Sequence, residues 1–175
     1  GTGLGELHLE AEYKLTSKLL ARVAGSAERL VLFAMTIGNV FDARLSPYKE
    51  EGKISEAFAL DAAGTAFITK ASMAALSRLE EMYHKVGLNT TFPLGPGHSY
   101  WPRLEDLQIM FNLLKPERIG LHLTESNLIM PRKSVAMVMG VGRNLPESHE
   151  QTHCNFCSIR ATCQLSQAGQ KNLDN

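Results

Sequence analysis

The stretch from Ser55 to Val86 repeats its apolar side chains at helical spacing over about nine turns, the longest regular pattern in the chain. Ser55 is a possible N-cap, and Gly64 inside the pattern indicates close packing or a break in the helix there. Polar residues of the stretch, such as Lys70 and Arg78, fit a side that faces solvent. The pattern therefore predicts one long amphipathic helix.

Strand-like patterns lie on both sides of this helix. An apolar run within Arg29–Gly38 has the length and composition of a central strand. Ile119–Glu125 alternates apolar and other residues, Ser134–Val141 is similarly strand-like, and the short link between them predicts antiparallel pairing. The mixture predicts a single α/β (α+β) domain, with a mixed or antiparallel sheet flanked by helices. We place this domain at residues 1–142 and a cysteine-containing tail at residues 143–175.

Four further segments complete the prediction. In chain order they are a helix over 7–23 that ends at Gly25, a surface loop or frayed turn over 42–53, a shaped loop over 87–102, and a helix over 104–114 that stops before Lys115 and Pro116. The shaped loop is rich in proline, which neither a helix nor a strand ladder tolerates at that density. After Gly142 the regular patterns stop.

Charge and apolar content limit the classes of partner. The chain has 18 basic and 18 acidic side chains and no basic stripe, so we expect no nucleic-acid partner. No apolar run approaches the about 20 residues that span a bilayer, so we expect no membrane partner. The first residues lack the features of a signal peptide, and the leading Gly1 suggests a cut inside a longer chain. Three clustered cysteines do not form a disulfide framework, which favours a cytoplasmic location.

The sharpest chemical motif is Cys154-Asn-Phe-Cys157, followed by Cys163. Two thiolates separated by two residues can bind one metal ion or one edge of a cluster, because a tight turn brings both sulfurs to the same side. A fourth ligand could come from His149, from another chain or from a small molecule, or the fourth position could have no ligand. Soft thiolates select an iron–sulfur cluster, of the 4Fe-4S type, or zinc. The spacing leaves both open, together with free thiols in a flexible tail.

A second motif is the loop around Pro96-Gly97, which carries His98, Tyr100 and Trp101 at its tip. Its backbone amides and rings could hold a flat or adenosine-like ligand. The alternative is an aromatic plug over the core, which the residue types alone favour. The chain has no nucleophile–base–acid set, no phosphate-binding loop and no dinucleotide fingerprint, so we assign no catalytic residue.

The second half of the chain contains an ordered series of short motifs. They are Pro96-Gly97, Trp101-Pro102, Phe111-Asn-Leu-Leu114, Leu123-Thr-Glu-Ser126, Met130-Pro131 and Ser134-Val135. In order and spacing they resemble the activation domain of cobalamin (vitamin B12)-dependent methionine synthase. The likeness is good from about Phe92 to Gly142 and weaker from Leu30 to Val86. Arg132 and Lys133, with the cysteines behind them, are similar to the short, stand-alone relatives of that domain.

The resemblance implies a C-shaped α/β fold that binds S-adenosylmethionine over the corrin face, so that inactive cob(II)alamin can be reduced and remethylated. In the full enzymes the adenosylmethionine loop has the sequence Arg-Pro-Ala-Pro-Gly-Tyr, whereas this chain has Pro93-Leu-Gly-Pro-Gly-His98. Proline replaces the arginine that grips the methionine carboxylate, and the loss of a charge-assisted bidentate contact argues against tight S-adenosylmethionine binding. Gly95, Pro96 and Gly97 keep the shape of the loop.

By this resemblance we expect an accessory or activation domain for a cobalamin-dependent methyltransferase, docked on a separate corrinoid protein that carries the cobalamin. An iron–sulfur cluster in the tail would deliver one electron to cobalt, because cobalt(II) reduction needs a low potential that such centres reach. The residues that would line the ligand loop and hold the neighbouring hairpin are Gly95, Pro96, Gly97, His98, Tyr100, Glu125 and Arg132. The alternative is a non-catalytic corrinoid- or protein-binding module with a zinc-stapled or disordered tail.

Overall fold

The fold is that of a computed structural model, which describes residues 2–3, 6–8, 13–146 and 153–156. Over these residues the chain is a mixed α/β structure with antiparallel strand pairs, which confirms the predicted class at this level. It divides into two compact units, with residues 1–31, 83–103 and 138–175 in the first and residues 32–82 and 104–137 in the second. In the described part of the chain, none of the helices combines the length and apolar character that a membrane span requires.

The first unit begins with a small antiparallel sheet followed by a short helix. The elements are β1 (Thr2–Gly3), β2 (Glu6–His8), β3 (Lys14–Thr16) and α1 (Lys18–Ala24), with the strands in the order β1–β2–β3. Ser17 caps α1, because its hydroxyl accepts a hydrogen bond of 3.2 Å from the amide of Leu20. The cap supplies a partner to an amide that has none within the helix.

The predicted helix over 7–23 is therefore wrong in its first half. Residues 6–8 pair with residues 14–16, with Leu7 opposite Leu15, and among the described residues of this segment only 18–24 are helical before the chain leaves the helix at Gly25. The apolar residues Leu7, Leu9 and Ala11 also fit a two-residue period, and over so short a stretch that period is not distinguishable from a helical one. Leu15 is fully buried, so strand pairing here also removes an apolar side chain from water.

The second sheet has the strand order β4–β8–β5, where β4 is Arg29–Thr36, β5 is Asn89–Thr90 and β8 is Ser134–Gly142. β4 confirms the strand predicted from the apolar run. Thr91 anchors the chain after β5 to β8, because its amide donates to the carbonyl of Gly140 (2.9 Å) and its hydroxyl accepts from the amide of the same glycine (2.9 Å). A Cβ at Gly140 would lie 2.9 Å from the methyl group of Ala24, so the close packing of Ala24 against β8 requires glycine.

The predicted pairing of 119–125 with 134–141 is wrong. β6 (His122–Leu123) pairs instead with β7 (Ile129–Met130), and β8 lies between β4 and β5. The amide of Thr124 donates to the carbonyl of Leu128 (2.9 Å), and Asn127 takes a left-handed φ of 61°, so a tight hairpin closes before β8 begins. Pattern alone identified extended segments here but did not identify their partners.

Three helices form most of the second unit: α2 (Val40–Glu50), α3 (Ile54–His84) and α4 (Asp106–Leu114). α3 confirms the long helix, although it begins at Ile54, so Ser55 lies in its first turn and is not the N-cap. α4 confirms the predicted helix, and it ends where Lys115 takes a left-handed φ of 52° before Pro116. Gly64 does not break α3.

α2 corrects the predicted surface loop over 42–53. Pro47 lies inside this helix and cannot donate a hydrogen bond to the carbonyl four residues earlier, which is why the sequence indicated a loop. The helix forms nevertheless because Leu45 is buried and because the Asp42 carboxylate accepts a hydrogen bond of 2.8 Å from the amide of Arg132. Both compensations come from parts of the chain that local pattern does not include.

Candidate functional site

The proline-rich loop of the first unit is held at both ends by backbone hydrogen bonds. Leu94 and Val138 exchange two of them, at 2.9 and 2.7 Å, which ties the loop to β8. At the tip, the amide of Gly97 donates to the carbonyl of Trp101 and the amide of Trp101 donates to the carbonyl of His98, both at 2.8 Å. Gly97 has a φ of 93°, which a residue with a side chain rarely adopts. The loop therefore has one defined, closed conformation.

The aromatic residues of this loop divide between the core and the surface. Phe92 is 6% exposed and Trp101 is fully buried, as the aromatic-plug interpretation predicts for these two residues. His98 is exposed and Tyr100 half-buried, and their rings stack almost parallel, with centroids 5.0 Å apart and an interplanar angle of 8°. Burial raises the pKa of Tyr100 above its usual value, although its hydrogen bond with the backbone of Gly95 acts in the opposite direction. The tip thus presents a flat aromatic surface on a rigid base.

Phe156, which lies within the cysteine motif, packs against the beginning of this loop. His153–Phe156 form a short 3₁₀-helix that includes Cys154. The ring of Phe156 stacks on Phe92, with centroids 5.8 Å apart and an interplanar angle of 26°, and the guanidinium carbon of Arg22 lies 5.1 Å from the centre of the Phe156 ring. The predicted ligands His149, Cys157 and Cys163 lie outside the described residues. Two segments that are far apart in the sequence therefore meet at Phe156.

The cysteine motif fits a metal centre by the chemistry of its donors. Within residues 13–146, 155 and 156, no group of three histidine, cysteine or acidic side chains could hold a metal ion. The fit therefore rests on the donor chemistry of Cys154 and Cys157, whose separation by two residues in the sequence is typical of two ligands to one metal. Thiolates suit an iron–sulfur cluster or zinc, and a site on a short turn suits either.

A second cluster of functional groups lies in the second unit, around Lys133. Its ammonium group is 2.9 Å from Oδ1 of Asp61 and donates a hydrogen bond of 2.9 Å to the hydroxyl of Thr65, while its side chain is only 7% exposed. A Cβ at Gly64 would lie 3.0 Å from Cε of Lys133 and 2.9 Å from the ring of Phe41. Gly64 therefore marks close packing, which is one of the two alternatives that the sequence left open.

Glu125 and Arg132, the two residues predicted to hold the hairpin, lie in different surroundings. Glu125 is exposed in the turn between β6 and β7, whereas the guanidinium of Arg132 lies 3.6 Å from the carboxylate of Asp61. The hydrogen bond with Lys133, together with the positive charges of Lys133 and Arg132, holds the pKa of Asp61 below its usual value, against the opposing effect of burial. Arg132 therefore belongs to a charge cluster with Lys133 and with Asp61 of α3.

Sequence reasoning did not find Asp42 and Asp61 as partners of the Pro-Arg-Lys-Ser segment. Asp42 accepts a hydrogen bond from the amide of Arg132, and Asp61 pairs with Lys133. The only local signal was Gly64, one turn from Asp61, which indicated that something packs closely against that part of α3. Which residue packs there depends on the fold.

A separate open groove of about 430 Å³ runs along the outer side of α2 in the second unit. Its lining consists of Asn39, Val40, Ala43, Arg44, Pro47 and Tyr48. None of the residues predicted from the sequence to form a site lies in it.

The chain was also compared with known proteins. It matches no protein-family model, and no curated protein matches it. The candidate site is therefore defined by its own geometry, namely the closed loop of residues 92–101 with Phe156 stacked on Phe92 at its base.

Proposed function

We propose that this chain is an accessory domain of a cobalamin-dependent methyltransferase system, similar in role to the activation domain of methionine synthase, and that it supports reductive reactivation of a corrinoid on a partner protein. Cys154, Cys157 and Cys163, with a fourth ligand such as His149, would hold an iron–sulfur cluster. When bound, such a cluster supplies single electrons at low potential. We propose in addition that the fold is the C-shaped α/β fold of that activation domain.

The observation that carries the proposal is the stacking of Phe156 on Phe92 at 5.8 Å. The sequence predicted a ligand loop and a metal-binding motif as two independent signals. An electron carrier that serves a bound macrocycle has to lie near the surface that contacts it, because electron transfer requires proximity of the two groups. The contact between Phe156, inside the cysteine motif, and Phe92, at the base of the loop, supports a single site that uses both.

The tip of the loop has the surface that a flat, largely apolar ring system needs. The stacked His98 and Tyr100 offer an aromatic face, and the exposed Gly97 lets a ligand approach the backbone closely. Pro93 leaves the loop without a cation at the position where the similar domains grip a carboxylate.

The first experiment is metal and acid-labile sulfide analysis of protein purified without oxygen, with Cys157→Ser as the test variant. Ser158→Ala is the matched control, because it changes the neighbouring residue and leaves all three thiols in place. We expect iron and sulfide in the wild type and in the control, and their loss in Cys157→Ser. The loaded protein should then reduce cob(II)alamin when it is supplied with a low-potential donor.

Zinc in place of iron, or no metal, would contradict electron delivery and favour the alternative, a binding module with a zinc-stapled tail. Titration with S-adenosylmethionine belongs to the same series. We expect no tight binding, because the loop lacks the arginine that would bind the carboxylate of the ligand's methionine part. Tight binding would show that the loop recognises this carboxylate without the arginine.

A further inference from the structure

We propose that the exposed side of α3 is the contact surface of a two-fold symmetric dimer, in which α3 packs antiparallel against α3 of a second copy of this chain. The proposal does not depend on the function proposed above. It begins from three large apolar side chains of α3 that face solvent: Phe58 is 76% exposed, Phe67 63% and Met73 64%. A helix that packs on one side only carries polar and charged residues on the other, so exposed apolar groups of this size indicate a contact surface.

The exposed side of α3 is also nearly free of charge over about six turns. Among residues 57–77, all of which the structure describes, only Asp61 and Lys70 are charged. Asp61 belongs to the cluster with Lys133, which leaves Lys70 as the charged residue of the exposed side. A surface with so little charge fits a partner of the same apolar character, because contact removes both surfaces from water.

The spacing of residues along this side is the same in both directions of the chain. Seven exposed residues follow one another at intervals of three and four, and together they form the exposed stripe: Ser55, Ala59, Ala62, Ala66, Lys70, Met73 and Ser77. The intervals are four, three, four, four, three and four, so they are symmetric about Ala66. A two-fold axis at Ala66 therefore places each residue of the stripe opposite a residue of the stripe in the second copy.

Side-chain sizes are complementary in this antiparallel arrangement. Met73 of one copy faces Ala59 of the other. Lys70 faces Ala62, so its stem can lie along the second copy while its ammonium group reaches water. A parallel pair would instead place Met73 against Met73 and Lys70 against Lys70, with two like charges in contact. Size and charge together therefore favour the two-fold antiparallel pair.

The area of the surface indicates how stable the dimer is. The stripe extends over residues 55–77, which is about 35 Å of helix. Phe58 and Phe67 lie beside it, and at their exposures they can bury about 200–350 Å² per copy. With Met73 and Lys70 the surface approaches about 600 Å² per copy, the lower end of standard interfaces. This size fits a reversible dimer with a dissociation constant on the order of 10 µM, and in more dilute solution the chain is a monomer.

Sedimentation equilibrium of the full chain, from about 1 to about 200 µM, tests the association. We expect the mass to rise from 19.3 kDa towards twice that value. Ala66→Glu places two carboxylates at the two-fold axis and should weaken the dimer about 100-fold or more. Val40→Glu introduces the same charge at an exposed apolar position of α2 and should leave the dissociation constant unchanged. Circular dichroism checks that both variants fold.

Two results of this experiment would overturn the proposal. A wild type that stays at 19.3 kDa throughout would show that the face does not bind a second copy and would assign it to a different protein. A dimer that Ala66→Glu leaves intact would show that the copies meet at another surface.

Disulfide formation between copies tests the antiparallel arrangement. Ala66→Cys should link to itself, because the two-fold axis brings the two positions together. Ser77→Cys should not, because it faces Ser55 and lies about 33 Å from Ser77 of the second copy. The double variant Ser55→Cys/Ser77→Cys should link between copies. Mass spectrometry of the linked peptides separates these links from any that involve the native cysteines, and equal self-linking of Ala66→Cys and Ser77→Cys would indicate a parallel pair and overturn the proposal.

Discussion

The ammonium nitrogen of Lys133 lies 2.9 Å from Oδ1 of Asp61 in a cluster where the lysine is buried and the aspartate is not. The Lys133 side chain is 7% exposed and that of Asp61 is 38% exposed. The lysine therefore depends on Asp61 and on the hydroxyl of Thr65, at 2.9 Å, for the interactions that water would otherwise provide. Oδ1 of Asp61 is itself buried and also lies 3.6 Å from Arg132, whereas the rest of the aspartate side chain keeps access to solvent.

This asymmetry predicts that removing the aspartate costs more than removing the lysine. Asp61→Ala should lower the free energy of unfolding by about 2 kcal/mol, less than the 3–5 kcal/mol for breaking a fully buried pair because Asp61 is partly exposed. Lys133→Met should cost about 1 kcal/mol or less, since an apolar chain fills the same space and the remaining carboxylate can be hydrated. Urea denaturation followed by circular dichroism measures both values.

The control for Lys133→Met is Lys70→Met, which changes an exposed lysine on α3, the helix that contains Asp61. It should change the free energy of unfolding by no more than about 0.5 kcal/mol. A larger loss for Lys133→Met than for Asp61→Ala would contradict the expected asymmetry.

The same pair predicts an acid-dependent contribution to stability. Lys133 and Arg132 lower the pKa of Asp61 from its ordinary value of 3.8 in the folded protein. A group whose pKa is lower in the folded state stabilises the fold above its unfolded pKa, and this contribution is lost as pH falls through the folded value. The stability difference between the wild type and Asp61→Asn should therefore be full near neutral pH and shrink below about pH 4. Urea midpoints measured across that range check it, and a difference that stays constant with pH would contradict it.

In the substitution Gly64→Ala, helix propensity and side-chain packing have opposite effects on stability. Alanine in the middle of a helix is favoured over glycine by about 1 kcal/mol. A Cβ at this position would, however, lie 2.9 Å from the Phe41 ring and 3.0 Å from Cε of Lys133, which is fixed by its ion pair. Overpacking of this kind costs about 1–3 kcal/mol, so Gly64→Ala should be neutral to destabilising, by up to about 2 kcal/mol.

Two further variants separate the effect of helix propensity at Gly64 from the effect of packing. Ala66→Gly, at an exposed position of α3, measures the propensity difference by itself. Phe41→Leu removes the ring that the new methyl group would meet, so Gly64→Ala should cost less in that background than in the wild type. Gly64→Ala that stabilises the protein by the full propensity difference would show that the neighbours move without cost.

We predict that the Tyr100 hydroxyl ionises above the ordinary tyrosine pKa of 10.0, because burial disfavours the phenolate. In an ultraviolet absorbance titration, Tyr100→Phe should remove a step that lies above pH 10.0. His98→Ala uncovers one face of the ring and should move this step back towards 10.0, whereas the neighbouring change Ser99→Ala should not. Because the pKa is raised in the folded state, the contribution of Tyr100 to stability is present at neutral pH and is lost as pH rises through that step. If His98→Ala leaves the step in place, the stacked histidine does not contribute to the burial of Tyr100.

Local patterns were sufficient for the elements whose signals are long or strongly apolar. β4, α3 and α4 were predicted close to their observed bounds, because eight apolar-rich residues or several helical turns suit few other conformations. α2 was missed because Pro47 opposes a helix locally, while the burial of Leu45 and the hydrogen bond from Arg132 to Asp42 stabilise it from elsewhere. The segment before α1 was assigned to a helix because a few residues fit both periods.

The sequence by itself determined the mixed α/β class, the presence of a proline-rich loop around Gly97 and the spacing of the cysteine motif. The tertiary structure decided which segments meet: β8 with β4 and β5, Lys133 with Asp61, and Phe156 with Phe92 and Arg22. The physical reason is that turn geometry and helical periodicity depend on neighbouring residues. The partner of a buried charge or an aromatic ring depends on contacts between residues far apart in the chain, and these exist only once the chain has folded.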